Sequence, residues 1–127
     1  NKILFVLLLT LLTASCATVY RQYQGPQRSE AQLAILEHTN PQHSLFILEN
    51  VNGEWRGTGL ISRYELLPGE QRITCALHST THTGGKVDVY FKAEAGRKYV
   101  AQAITKNNRW TVQILDKITN RFVGYYK

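Results

Sequence analysis

From residue 44 onward, apolar and polar positions alternate in short runs broken by turn residues. Residues 44–51 form an apolar run closed by Asn52-Gly53. Asn-Gly favours a type I′ hairpin turn, in which both central residues take positive φ. Residues 60–67 form a second run. Pro68-Gly69 after it suits a type II turn, with Pro setting the first φ and Gly accepting the positive second one. Beyond it Ile73, Cys75 and Leu77 face one way, and Arg72, Thr74 and His78 the other. Val87, Val89 and Phe91 oppose Lys86, Asp88, Tyr90 and Lys92. Gly96 leads into residues 98–105, Asn107-Asn108 into Trp110, Val112 and Ile114, and residues 116–120 into 121–126.

A period of two between short turns predicts antiparallel meanders. Strands with one polar face must bury the other, in a two-sheet sandwich or a small closed barrel; the expectation is an all-β fold, a small antiparallel β-sandwich of about 7–8 strands over residues 30–127. No internal repeat suggests a solenoid. The outward positions are too polar for a membrane barrel. Residues 31–37 are ambiguous. Ser29 and Gln32 fit a helix capping box, but the apolar run is also of strand length, and the β pattern that follows favours a buried strand. Trp110, in phase with Val112 and Ile114, is expected in the core.

The N-terminal end is a different material. Residues 3–12 are apolar and uncharged, follow Lys2, and give way to Thr13, Ala14 and Ser15. The run is about half the ~20 residues that a membrane-spanning helix needs. A basic start, a short apolar stretch and small residues make the pattern of a secretory signal, here residues 1–15. The chain opens on Asn1, so an initiator Met is expected upstream. Residues 17–29 show no apolar period. With Cys16 they are expected to form a flexible tether, reaching ~20 Å on average.

Leu12-Thr13-Ala14-Ser15-Cys16 resembles the lipobox of bacterial lipoproteins, with Thr13 where that family prefers Leu. The resemblance implies cleavage before Cys16 and its lipidation by several acyl chains, palmitate among them. One chain alone anchors only marginally. Ala17, a residue other than Asp after the cysteine, implies the outer membrane by the enteric rule. Residues 66–73, Leu-Leu-Pro-Gly-Glu-Gln-Arg-Ile, resemble the turn that feeds a strand in PEGA and carboxypeptidase-regulatory β-sandwich modules, with Gln71 where His is commoner. The whole is similar to the many small bacterial lipoproteins of unknown function. That implies an envelope location, facing the periplasm, and no enzymatic activity.

Charge and candidate chemistry add little to this. The chain has 15 Lys and Arg against 9 Asp and Glu, a net +6. In the envelope, anionic headgroups or cell wall are nearer partners for that charge than nucleic acid, which is not expected. The basic residues are spread along strands and turns. No nucleophile elbow, phosphate loop, dinucleotide fingerprint or His-Glu-x-x-His motif occurs, so no catalytic residue and no cofactor is expected. His38, His43, His78 and His82 lack the supporting ligands of a zinc site, so no metal is expected. Cys75 reads as a small core hydrophobe. Trp55, Tyr90 and Tyr126 are the candidates for an exposed aromatic interaction surface. Two roles follow as expectations. One is a non-enzymatic binding or accessory module for an envelope assembly, anchored in the bilayer through acylated Cys16. The other is a cell-wall or glycan binder using a basic and aromatic face.

Overall fold

The computed structural model describes residues 19–39, 45–78 and 85–127. Among them are ten strands and no α-helix: β1 (Val19–Arg21), β2 (Ala34–Glu37), β3 (Phe46–Val51), β4 (Glu54–Trp55), β5 (Arg63–Leu66), β6 (Gly69–Leu77), β7 (Lys86–Ala93), β8 (Lys98–Lys106), β9 (Arg109–Asp116) and β10 (Arg121–Phe122). They form a six-stranded sheet, β1-β5-β2-β8-β9-β10, and a four-stranded sheet, β4-β3-β6-β7. The fold is the expected all-β sandwich. It holds more strands than the alternation reveals, because β1 and β4 are too short to show a period, while β10 falls in the run expected over 121–126. Most neighbours are antiparallel, but β1 pairs with β5, and β2 with β8, in parallel. Parallel partners lie far apart in sequence, where local alternation carries no sign of them.

The core lies between the sheets. Leu36, Tyr64, Tyr99, Val112 and Ile114 come from the larger sheet, and Phe46, Leu48, Ile73, Val89 and Phe91 from the smaller. Phe91 and Tyr99 meet edge-on across the interface, with ring centroids 5.0 Å apart. Cys75 is fully buried among them. Asn52 (φ 51°) and Gly53 (φ 83°) turn β3 into β4 as expected, and Asn107 (φ 53°) and Asn108 (φ 61°) do the same between β8 and β9. Pro68-Gly69 makes no hairpin. It carries the chain from β5 in one sheet to β6 in the other.

The tether expected over residues 17–29 needs correction, as does the domain start at residue 30. From Val19 the chain belongs to the sandwich, as the edge strand β1. Arg21 Nε donates to Glu65 at 2.9 Å, and the Tyr23 hydroxyl donates to the same carboxylate at 3.0 Å. Gln22 and Gln71 exchange reciprocal amide hydrogen bonds of 2.8 and 3.0 Å. Tyr23 and Leu33 then pack with Ile35 on the outer face of the larger sheet, in a second small core. This covering explains why β2 is buried on both faces and reads as a continuous apolar run. The strand expected over residues 31–37 is present at Ala34–Glu37, preceded by one 3-10 turn, Glu30–Gln32. Ser29 makes no side-chain cap there.

The C-terminal segment crosses between the sheets. Tyr125 exchanges two backbone hydrogen bonds with Tyr90, of 2.9 and 2.7 Å, and so partly covers the β7 edge. Gly124 allows the crossing: a Cβ there would stand 2.1 Å from Gln113 Oε1 and 2.7 Å from Val89 Cγ1.

Candidate functional site

Buried polar groups are the first places to look for chemistry, and here they are structural. Glu65 is held by Arg21 and Tyr23, with Arg63 at 3.5 Å. Burial alone would push the Asp116 carboxyl up. Hydrogen bonds from Arg97 (2.7 Å) and from the backbone N–H groups of Ile118 and Thr119 outweigh that and hold it below the usual range. His38 is buried and stacked on Phe46 at 4.4 Å between centroids, and its Nε2 donates to the Phe46 carbonyl at 3.3 Å. Its desolvation lowers its pKa. His78 is exposed; His43 and His82 lie outside the described residues. Among the described residues, no three His, Cys, Asp or Glu side chains come together in a way that would hold a metal ion. Cys75 is a free thiol whose pKa burial pushes strongly upward, the opposite of a reactive thiolate. Cys16 lies outside the described residues.

The structure does not bring Trp55, Tyr90 and Tyr126 onto one face. Trp55 is 64% exposed on β4, at one edge of the four-stranded sheet, and Tyr90 is on β7, at the other edge. Adjacent residues of an extended chain point to opposite sides. Tyr125 therefore stacks on Tyr90, at 5.8 Å between centroids, while Tyr126 turns away and donates its hydroxyl to the Val112 carbonyl at 2.7 Å. The register, in which Trp55 pairs with Asn50, Asn50 with Thr74 and Thr74 with Asp88, puts Trp55 and Tyr90 on the same outer face of the four-stranded sheet but at its opposite edges, and Tyr126 turns away from that face.

Two surfaces replace the expected one. On the outer face of the four-stranded sheet, Arg72 lies in register with Tyr90, and Lys127 sits 4.5 Å above the Tyr90 ring. Tyr125 and Lys127 both bind Glu70. The hydrogen bond from Tyr125 lowers the Glu70 carboxyl, with Lys127 adding to it, and the same bond raises the Tyr125 hydroxyl.

The second surface is an open groove of about 560 Å³ at one end of the sandwich. Leu77 and Val87 form its floor, and Lys106, Arg109, Trp110 and Tyr126 its rim. Trp110 corrects an expectation. It has the parity of the core residues Val112 and Ile114, yet it is 48% exposed. The β8–β9 hairpin outruns the strands facing it: β6 ends at Leu77 and β7 begins at Lys86, so among the described residues no strand stands opposite the hairpin's last inward position. Its closeness to the Asn107-Asn108 turn was the available signal. Lys106 Nζ lies 5.6 Å from the Tyr126 ring centroid.

The turn at residues 66–73 also finds its place. Gln71 is buried, and its amide oxygen accepts from Gln22 and from Asn52 at 2.8 Å each. Its amide nitrogen donates to Gln22 at 3.0 Å and to the Leu67 carbonyl at 2.7 Å. The side chain is saturated with structural partners and is not free to meet a ligand. Comparison with protein-family models, with curated proteins and with solved structures gave no match.

Proposed function

We propose that this chain is a lipoprotein of the bacterial envelope, anchored through acylated Cys16 and facing the periplasm from the outer membrane. In this reading the sandwich is a non-enzymatic binding or accessory module for an envelope assembly. The supporting observation is one of sequence and position together. An apolar run ends in Leu-Thr-Ala-Ser-Cys16, and the first strand begins only three residues later, at Val19. Glu65, Gln71 and Asp116 are each committed to structural partners, which fits a module that binds rather than catalyses.

The test is Cys16→Ala in a bacterial host. The expected outcome is loss of fatty-acid label and accumulation of uncleaved precursor. A variant that keeps both label and membrane attachment overturns the proposal.

A second reading, a cell-wall or glycan binder, draws on the Arg72, Tyr90, Tyr125 and Lys127 cluster, since sugars stack on aromatic faces beside charged hydrogen-bonding groups. Sedimentation with purified peptidoglycan, lost in Tyr90→Ala, would favour it. Recovery of one protein partner from crosslinked envelopes, without such sedimentation, favours the accessory role.

A further inference from the structure

We infer that the end of the sandwich bearing Lys106, Arg109, Trp110 and Tyr126 rests on the anionic phospholipid headgroups of the membrane that holds Cys16. This rests on the lipid-anchor reading and adds the orientation of the domain. Strand register supplies the direction. Val19 pairs with Arg63, Arg63 with Glu37, and Glu37 with Val100. The chain therefore enters β1 level with Val100. Because β1 runs antiparallel to β2, and β2 runs parallel to β8, the N-terminal end of β1 at Val19 points to the side toward which β8 climbs.

Distances then set the level. From Val19 back to Cys16 an extended chain reaches ~10 Å at most. From Val100 to Lys106, β8 climbs ~20 Å. The β8–β9 tip thus stands at least as far out on that side as Cys16 can reach. With the acyl chains of Cys16 in the bilayer, the tip overreaches Cys16 by ~10 Å, and it rests in the headgroup layer, ~5–8 Å thick on each side, with the strands tilted from the membrane normal.

The tip is built for that layer. Lys106 and Arg109 face each other across the turn, and neither has a carboxylate partner among the described residues. Among the described residues, no acidic residue lines the groove between them. Trp110 and Tyr126, 48% and 37% exposed, have the amphipathic rings that favour the membrane interface. Basic side chains this close to an anionic surface are drawn to it within a Debye length.

The two tryptophans make the test. Trp55 belongs to the β3–β4 hairpin, which turns at the end opposite the groove: β3 starts beside Leu77, at the groove, and runs away from it. The acylated full-length product is reconstituted in phosphatidylethanolamine–phosphatidylglycerol vesicles carrying a headgroup-proximal spin-labelled lipid. In Trp55→Phe, Trp110 fluorescence should be quenched at least about twofold more than Trp55 fluorescence is in Trp110→Phe. Adding Lys106→Gln and Arg109→Gln, both exposed, should abolish the difference, as should vesicles of phosphatidylcholine alone.

Acylated protein whose Trp110 is no more quenched than Trp55 overturns the orientation and leaves the anchor standing. Protein recovered without acyl groups overturns both. Trp110 unquenched in vesicles but shielded from acrylamide in intact envelopes would assign the tip to a protein partner instead, and that too overturns the proposal.

Discussion

In β6, Ile73 and Cys75 are fully buried against the opposite sheet, and the polar residues alternating with them, Arg72 and Thr74, face outward. In β1 no residue is fully buried, and Arg21 is exposed. Yet both strands belong to one sandwich. The region from β6 to β9 is held by apolar packing, whose strength follows buried area and whose pattern repeats every second residue. The N-terminal segment, besides its ladder with β5 and the contact of Tyr20 with Tyr64, is held by pairings of polar side chains: Arg21 and Tyr23 with Glu65, and Gln22 with Gln71. Apolar packing leaves a periodic trace in the chain, whereas a polar contact between residues some 40 positions apart leaves none. The difference should also appear as global against local stability.

The largest expected effect is in the apolar region. Phe91 is fully buried and meets Tyr99 across the two sheets. Phe91→Ala should cost about 3–5 kcal/mol. The urea transition should move as one, with amide exchange faster throughout both sheets. Faster exchange confined to β7 would break the comparison, by showing that the core also comes apart in pieces.

Glu65→Ala is the matching change in the polar region. Glu65 is buried, whereas Arg21 and Arg63 are partly exposed and can turn to water once the carboxylate is gone. The cost should be about 1–3 kcal/mol, since the Tyr23 hydroxyl loses its acceptor at a buried site. Exchange should quicken at Gln22, whose N–H donates to the Glu65 carbonyl, while β6 and β7 keep their protection. A uniform loss across the domain would show β1 to be as integral as the core.

Cys75 sharpens the contrast from the apolar side. In a Cys16→Ser background it is the only thiol. It should resist labelling in the folded domain and react in urea, because burial holds the thiol protonated. Cys75→Ala removes a small group and should cost about 1 kcal/mol. Rapid native labelling would mean that β6 opens locally.

What the chain discloses follows the same division. The alternation at Ile73, Cys75, Val89 and Phe91 and the Asn52-Gly53 turn were legible, because each is a local rule. β1 was not, since Gln22 and Arg21 look like solvated linker until Gln71 and Glu65 arrive beside them. Ile35 was legible as part of an apolar run, but its cover, Tyr23 and Leu33, was not. Of the groove, Tyr126 could be picked out as an aromatic. Its neighbours Leu77, Lys106 and Trp110 come from three different strands, and only the register makes them a surface. The misplaced Trp110 shows the limit of parity: it tells which side a residue faces, not whether anything stands opposite.

The smallest effect concerns His38, a polar group inside the apolar region. It packs on Phe46, and burial, with Arg56 nearby adding to it, lowers its pKa from the ordinary 6.5. The unfolded chain keeps the ordinary value. Between the two values the unfolded state therefore binds more protons, and stability falls as the solution is acidified. The contribution of the neutral imidazole is complete above pH 6.5 and is lost as the pH falls through the folded value. Glu30, Glu70 and Asp116 also have lowered pKa values, from 4.5, 4.5 and 3.8, so their losses begin further down. The interval from pH 6.5 to about 5 is left to histidine. The urea midpoint should decline over that interval, and the decline should be reduced in His38→Gln, which retains a donor for the Phe46 carbonyl. An identical decline in both proteins would place the titrating group elsewhere. The buried imidazole would then have to be tolerated in its charged form, and the interior around Phe46 would be wetter than its burial implies.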